Sequence, residues 1–245
     1  MSIWSPCSGC PEEAIFIELL GIFQREKLIK KQSQPKYHPD SHDWKNVMGA
    51  VKNQGHCGSC WAFGAVGAVE AQWTMAGHTP QVLSEQMLVD CAQGDCEGGW
   101  VDDAFDTMIS KGGDCTEEDY PYTAQNGIYC KSFTPVVSIS GYNYINVKLE
   151  GIDTLAESVY NNGPHAVYVY ANSNFQRYES GIFDDASCST YTYNHAVINV
   201  GYDKTQGYWT IRNSWASSWG ENGHIRMAMG DNICNIEHYA WVPYL

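Results

Sequence analysis

Two kinds of hydrophobic spacing divide this chain. From about residue 44 to 135 the apolar positions recur at helical intervals, and from about 136 they gather in short β-branched and aromatic runs bounded by glycine. The first pattern predicts one helix from residue 59 or 60 to 77 and a second from Ser84, a capping residue, to about 91. A third is expected over 100–110, stopped by Gly112-Gly113. The second pattern predicts strands at 136–139, 166–170, 195–200, 208–211 and 223–227. Helices first and strands second imply an α+β fold with two segregated halves. Residues 1–37 differ from both: a turn over 5–11, then an amphipathic helix over 12–31 with Ile15, Leu19, Ile22, Phe23 and Ile29 on its apolar side. The prolines of Gln34-Pro35-Lys36-Tyr37-His38-Pro39-Asp40 oppose a helix, so this extended linker marks a boundary between an N-terminal extension, 1–37, and a main domain, 38–245.

Composition narrows the functional classes. The chain has 245 residues, long enough for a sizeable core, and 44% of them are hydrophobic. Its net charge of −14 would repel a nucleic-acid backbone, which argues against a polynucleotide partner. Ten cysteines point to an oxidising compartment. No run approaches the ~20 apolar residues of a membrane span. Glu12, Glu13 and Glu18 interrupt the apolar positions near the start, so no secretory signal is expected in this chain. No N-x-[ST] acceptor is present either.

The chemistry starts at Cys57-Gly58-Ser59-Cys60-Trp61. A C-x-x-C pair alone admits half of a disulfide framework, a thioredoxin-like redox site or half of a zinc site, the last completed by Cys7 and Cys10. Cys60 also opens a predicted helix, where the macrodipole favours thiolate over thiol. A nucleophilic thiolate needs a base, a group to orient that base and donors for an oxyanion. His195 and Asn213 offer the first two, at positions that bracket the roughly 130–150-residue separation expected for such partners. Gln54, shortly before Cys60, offers a side-chain amide for the third. His38, His42, His56, His78, His165, His224 and His238 read as ordinary structural or surface histidines.

With Asp43-Trp44, Gln54-Gly55, Cys57 to Phe63, Leu83-Ser84-Glu85-Gln86, Cys96-Glu97-Gly98-Gly99, Tyr120-Pro121-Tyr122, Asn194-His195-Ala196-Val197 and Asn213-Ser214-Trp215, residues 38–245 resemble the papain family of cysteine peptidases, cathepsin L-like rather than cathepsin B-like. The resemblance implies a two-lobed α+β fold. A helical lobe (about 44–135) would face an antiparallel, β-barrel-like lobe (about 136–235), with crossing terminal segments and the active-site cleft between. It implies a cysteine endopeptidase with Cys60, His195, Asn213 and Gln54 in the catalytic roles and Trp215 shielding the His195–Asn213 contact. It further implies Gly58, Gly98, Gly99, Trp100, Val101, Tyr168, Tyr193, Ala196, Trp215 and Tyr239 as substrate-binding positions, and disulfides Cys57–Cys96, Cys91–Cys130 and Cys188–Cys234. Cys7, Cys10 and Cys115 are left without an assignment.

No cofactor or metal is implied. The implied partners are protein or peptide substrates and cystatin-like inhibitors, for a monomer without nucleic acid or membrane span. The implied location is lysosomal, vacuolar or secreted. Three tyrosines at the pocket positions suggest a specificity pocket smaller than usual or lined by hydroxyls. Gly64 departs from the usual serine after Trp61-Ala62-Phe63, and residues 1–37 are far shorter than the family's propeptide. Those residues read as a truncated propeptide, a short native one or an accessory helix, and the 12–31 helix is expected to lie on the barrel lobe or cleft and reduce activity. The alternative function is a catalytically silent or self-inhibited binding protein of the same fold.

Overall fold

Every residue of the longest helix from Trp61 to Ala71 is buried, so this helix has no solvent face to signal through periodicity. It is α1 (Cys60–Met75), and small residues at five of its first nine positions let neighbouring elements approach from all sides. The computed structural model describes residues 38–190 and 193–245, which belong to the compact unit His38–Leu245. The turn, helix and linker expected within 1–37 lie outside the described residues.

Around α1 pack α2 (Glu85–Cys91) and α3 (Val101–Lys111). The Ser84 hydroxyl accepts the Met87 N–H and caps α2 as its sequence predicts. Gly112, in the left-handed region at φ 80°, ends α3, and the Gly113 N–H returns to the Met108 carbonyl. Trp100 stays extended as the residue before α3, so its ring is not carried on the helix.

The remaining elements are β1 (Ser41–Asp43), β2 (Gly141–Asn146), α4 (Val147–Glu150), α5 (Ile152–Asn162), β3 (His165–Val169), α6 (Ser173–Gln176), β4 (Ile182–Phe183), β5 (His195–Asp203), β6 (Tyr208–Arg212), β7 (His224–Ala228) and β8 (Tyr239–Tyr244). The strands form one mixed sheet in the order β2-β8-β3-β5-β6-β7-β4, with β1 also pairing β5. All its pairs are antiparallel except β4 with β7. The path is open, so the strands form one sheet that is not closed into a ring. The strand expected at 136–139 does not form: Val137 makes only an isolated bridge to Asp114.

Two hydrophobic cores result. One lies around α1, α2 and α3 and holds Trp61, Leu83, Met87, Phe105 and Met108; the other, under the sheet, holds Leu155, Val159, Trp209, Ile211 and Met227. The segregation is incomplete, because Ala166, Tyr168, Ala196 and Trp241 from the strands complete the helical core. The disulfides Cys57–Cys96, Cys91–Cys130 and Cys188–Cys234 all form. Cys57 therefore cannot pair with Cys60 in a redox couple or serve as a zinc thiolate, which removes both alternatives for the C-x-x-C run.

Candidate active site

The loop leading into α1 is held from three sides. The Gln54 N–H donates to the Ser214 carbonyl at 2.9 Å, the Gly58 N–H to the Cys96 carbonyl at 2.7 Å, and the Tyr122 hydroxyl to the Gln54 carbonyl at 2.8 Å. Ser59 makes no side-chain cap; its hydroxyl is bonded to Tyr122 instead. The first N–H groups of α1 are thereby left toward Cys60, and the backbone N–H groups of Ala196, Trp61 and Cys60 favour its anion. Ala196 follows His195 at the start of β5, and both line one cleft with Cys60.

Register explains how His195 and Asn213 meet. Ile198 of β5 pairs with Arg212, the last residue of β6, so Asn213 emerges beside the beginning of β5. Asn213 Oδ1 accepts the Ser214 N–H at 2.8 Å and lies 2.8 Å from His195 Nε2. A backbone N–H can only donate, so Ser214 fixes the Asn213 oxygen toward the ring, and Nε2 must be the protonated nitrogen. The neutral imidazole then carries its lone pair on Nδ1. Trp215 stacks on the ring at 4.7 Å between centroids and 23° between planes. Phe175, fully buried, meets Trp215 edge-on and backs that stack.

Burial pushes the Cys60 thiol up, with its three backbone donors pulling the other way. Burial also pulls the His195 imidazolium down to about 4, against the Asn213 hydrogen bond, which raises it. Desolvation therefore opposes each charge taken alone. A thiolate–imidazolium pair forms where mutual attraction and the helix end outweigh both costs, and its protons come off as those of a pair. Cys115, the other free thiol among the described residues, is buried and pushed up to about 12 by burial and by Asp114. Such a thiol is inert.

Gln54 is nearly buried, its Nε2 donating to the Cys57 carbonyl at 3.0 Å and its Oε1 accepting from the Ser214 hydroxyl at 2.6 Å. Those contacts define the amide's orientation and leave the second N–H of Nε2 for the cleft. A cleft of about 460 Å³ is lined by Gln54, Cys60 and His195, and by Gly58, Gly98, Gly99, Trp100, Tyr168, Tyr193, Ala196 and Trp215 among the expected substrate positions. Val101 and Tyr239 are not among its lining. Val101 is fully buried with its side chain against Gly64 of α1. Tyr239, paired with Asn146 on β8, stacks on His238 at 4.0 Å within an aromatic group that includes Tyr144 and Trp241. Glu97, Ala171, Gln176 and Asn194 line the cleft without having been singled out. Glu97 could have been found from its place before Gly98-Gly99, whereas Ala171, on a loop, and Gln176, the last residue of α6, carry no sequence signal.

Behind Asn213 and Ser214 lies a small cavity of about 20 Å³, also lined by Lys52, Glu70, Glu85 and Arg212. Lys52 Nζ donates to Glu70 Oε1 at 2.9 Å and to Glu85 Oε1 at 2.7 Å. One ammonium thus serves two buried carboxylates. Burial and the Glu70 charge push Glu85 up to about 8, although Lys52 opposes this. Because that value stands above the ordinary 4.5, Glu85's contribution to stability is complete below pH 4.5 and is lost as pH rises to about 8. The stability of the protein relative to Glu85→Gln is therefore expected to fall across that window, at up to about 1.4 kcal/mol per pH unit. Thermal or urea unfolding of both forms measures it, and a pH-independent difference contradicts it.

Among the described residues no group of three or more His, Cys, Asp or Glu is placed to hold a metal ion. Comparison with known proteins places this geometry. The sequence pattern of the papain family of cysteine proteases matches residues 38–244. Oryzain gamma chain from Oryza sativa subsp. japonica is 40% identical over 215 residues, covering 84% of this chain and 59% of that protein. Fruit bromelain from Ananas comosus is 41% identical over 218 residues, covering 84% of this chain and 61% of that protein. The chain thus spans about three-fifths of the length of the curated relatives it matches. The bromelain protease from Ananas comosus, solved in complex with the E64 inhibitor, superposes with a TM-score of 0.77 at 38% identity, covering 85% of this chain and 100% of that one. Digestive procathepsin L2 proteinase from Tenebrio molitor larval midgut gives 0.79 at 38% identity, covering 85% and 69%.

Proposed function

The chain belongs to the papain family of cysteine proteases, and from that premise we propose that it is a cysteine endopeptidase whose nucleophile is Cys60. The observation that carries the reading is the fixed tautomer of His195. Ser214 orients Asn213, Asn213 Oδ1 accepts the hydrogen bond from the His195 Nε2–H, and the basic Nδ1 is left for the Cys60 thiol in the same cleft.

In this mechanism the Cys60 proton resides on His195 Nδ1 and the thiolate attacks the substrate carbonyl. The oxyanion forms within reach of Gln54 Nε2 and the Cys60 amide. His195 returns its proton to the departing amine, leaving a thioester. Water, deprotonated by the same nitrogen, then releases the acid and regenerates the thiol. Trp215 keeps water from the His195–Asn213 bond. Gly99 supports an extended substrate: it makes no hydrogen bond among the described residues, so its peptide is free to pair with a substrate backbone. A Cβ there would come within 2.5 Å of the Trp61 indole, so a larger residue would displace either the wall or the ring beside Cys60.

Hydrolysis of internally quenched peptides by the protein, abolished by thiol alkylation, tests the activity. Turnover that survives alkylation would overturn it. A silent binding protein is disfavoured by the simultaneous presence of Cys60, His195 and Gln54 on one cleft, with Asn213 bonded to His195 behind it.

The substrate pocket is a narrow one in this reading. The Tyr168 hydroxyl accepts the Val101 N–H at 2.8 Å, its ring stacks on Tyr193 at 5.3 Å, and only 6% of its surface is exposed. The ring thus occupies space that a large aliphatic side chain would need. Tyr168→Ala is expected to raise kcat/KM roughly tenfold for peptides with Leu at the second residue before the cut, relative to Ala there. A peptide-library profile of both forms reads this, and an unchanged profile contradicts it.

A further inference from the structure

From Asn53 to Ser110 the chain contains no lysine or arginine and eight Asp or Glu residues. This stretch supplies one wall of the cleft, and Glu97 is the acidic residue among those that line it. The other lining residues include no Lys or Arg. Among the described residues the Glu97 side chain has no ion pair or hydrogen bond; only its backbone N–H is engaged, by Asp95 Oδ1 at 2.7 Å. It is exposed in the open cleft, an anion without a counter-charge.

Its distance from the nucleophile is fixed by covalent structure. Cys96 is joined to Cys57 by a disulfide and accepts the Gly58 N–H at 2.7 Å. A Cβ on Gly58 would stand 2.6 Å from the Cys96 carbonyl oxygen and 3.4 Å from the Glu97 carbonyl carbon, so the two segments touch. Asp95 and Gly98 pair across the turn that carries Glu97, which keeps its backbone from drifting. Glu97 is thus held against the loop that ends in Cys60. Because Glu97 touches Gly58 of the loop that leads to Cys60, a substrate strand paired with the Gly99 peptide and running to Cys60 would pass Glu97 after Gly99. The side chain nearest the carboxylate is then that of the residue whose carbonyl is attacked.

We propose that Glu97 is a specificity-determining residue that selects a cationic side chain, Lys or Arg, on the residue supplying the scissile carbonyl. The proposal rests on the peptidase reading of the same cleft. Attraction between an exposed carboxylate and a cation in a cleft is modest and is screened by salt. A preference of about three- to tenfold at low ionic strength follows.

The test uses two internally quenched peptides identical except at that residue, one with arginine and one with citrulline, which keeps the shape without the charge. The kcat/KM ratio of arginine to citrulline peptide is expected to be about three to ten for the protein in 20 mM salt and to fall at 500 mM. In Glu97→Gln it is expected to fall toward one, and in Glu97→Lys to drop below one. Hydrolysis with the same ratio in all three forms would overturn the role of Glu97 and leave the peptidase reading intact. No hydrolysis of either peptide, together with no covalent labelling of Cys60 by an epoxysuccinyl probe, would overturn the peptidase reading and this proposal with it.

Discussion

Cys60→Ala and His195→Ala are each expected to lower kcat for peptide hydrolysis by about 10⁴-fold or more, and the double variant by no more than either alone. In the proposed mechanism the two groups act on one proton and one electron pair, so removing either removes the step. Their effects differ in a second measurement, the rate of Cys60 alkylation against pH. In the protein, the paired thiolate is expected to react along a plateau extending below neutral pH. Without His195, only burial and the helix-end donors remain to set the thiol, and burial pushes it up. Alkylation of His195→Ala is therefore expected to fall steadily as pH drops below the alkaline range, with no plateau. Identical profiles for the two forms would mean that the imidazole does not hold the thiol's proton.

Gln54→Ala is expected to cost about 10²–10³-fold in kcat with a smaller change in KM. The substituted residue loses a donor that matters only once the carbonyl oxygen has become an anion. Its surroundings show why orientation counts: Ser214 Oγ donates to Oε1 and Nε2 donates to the Cys57 carbonyl, so the amide is built into place before substrate arrives. Gln54→Glu keeps the shape but presents acceptors in place of donors, and is expected to be at least as damaging as alanine. Steady-state kinetics of the two variants decide the point. A Gln54→Ala protein with normal kcat would remove Gln54 from oxyanion stabilisation.

The elements that the sequence made legible are those whose signals are local. Ser84 caps its helix through its own hydroxyl, Gly112 ends another because only a left-handed residue fits there, and Cys57 to Trp61 form a signature in consecutive positions. Less legible were elements that depend on distant partners. Strand β2 alternates tyrosine with asparagine and is stabilised by pairing with β8, which itself carries Pro243 at its edge. Helix α5 falls within a strand-rich region, and its burial of Leu155, Ala156 and Val159 follows from the sheet beneath it. Conversely, Val136 and Val137 have strand-like side chains but find only Asp114 to pair with.

The site divides in the same way. Cys60, His195, Asn213 and Gln54 were identifiable from residue type and separation. What Tyr122, Phe175 and Ser214 do for them is visible only once β5, β6 and the loop before α1 are brought together. Val101 and Tyr239 do not line the cleft, and a sequence position on a wall does not reveal which way its side chain turns.

In the proposed function Cys60 is the activated thiol of this cleft. Treating the protein with an epoxysuccinyl probe near pH 6 and mapping the adduct by peptide mass spectrometry tests it most directly. One adduct per chain is expected, on Cys60, formed in step with loss of peptide hydrolysis and absent from Cys60→Ala. An adduct on Cys115 or another cysteine, or full labelling of Cys60 with hydrolysis intact, would contradict it.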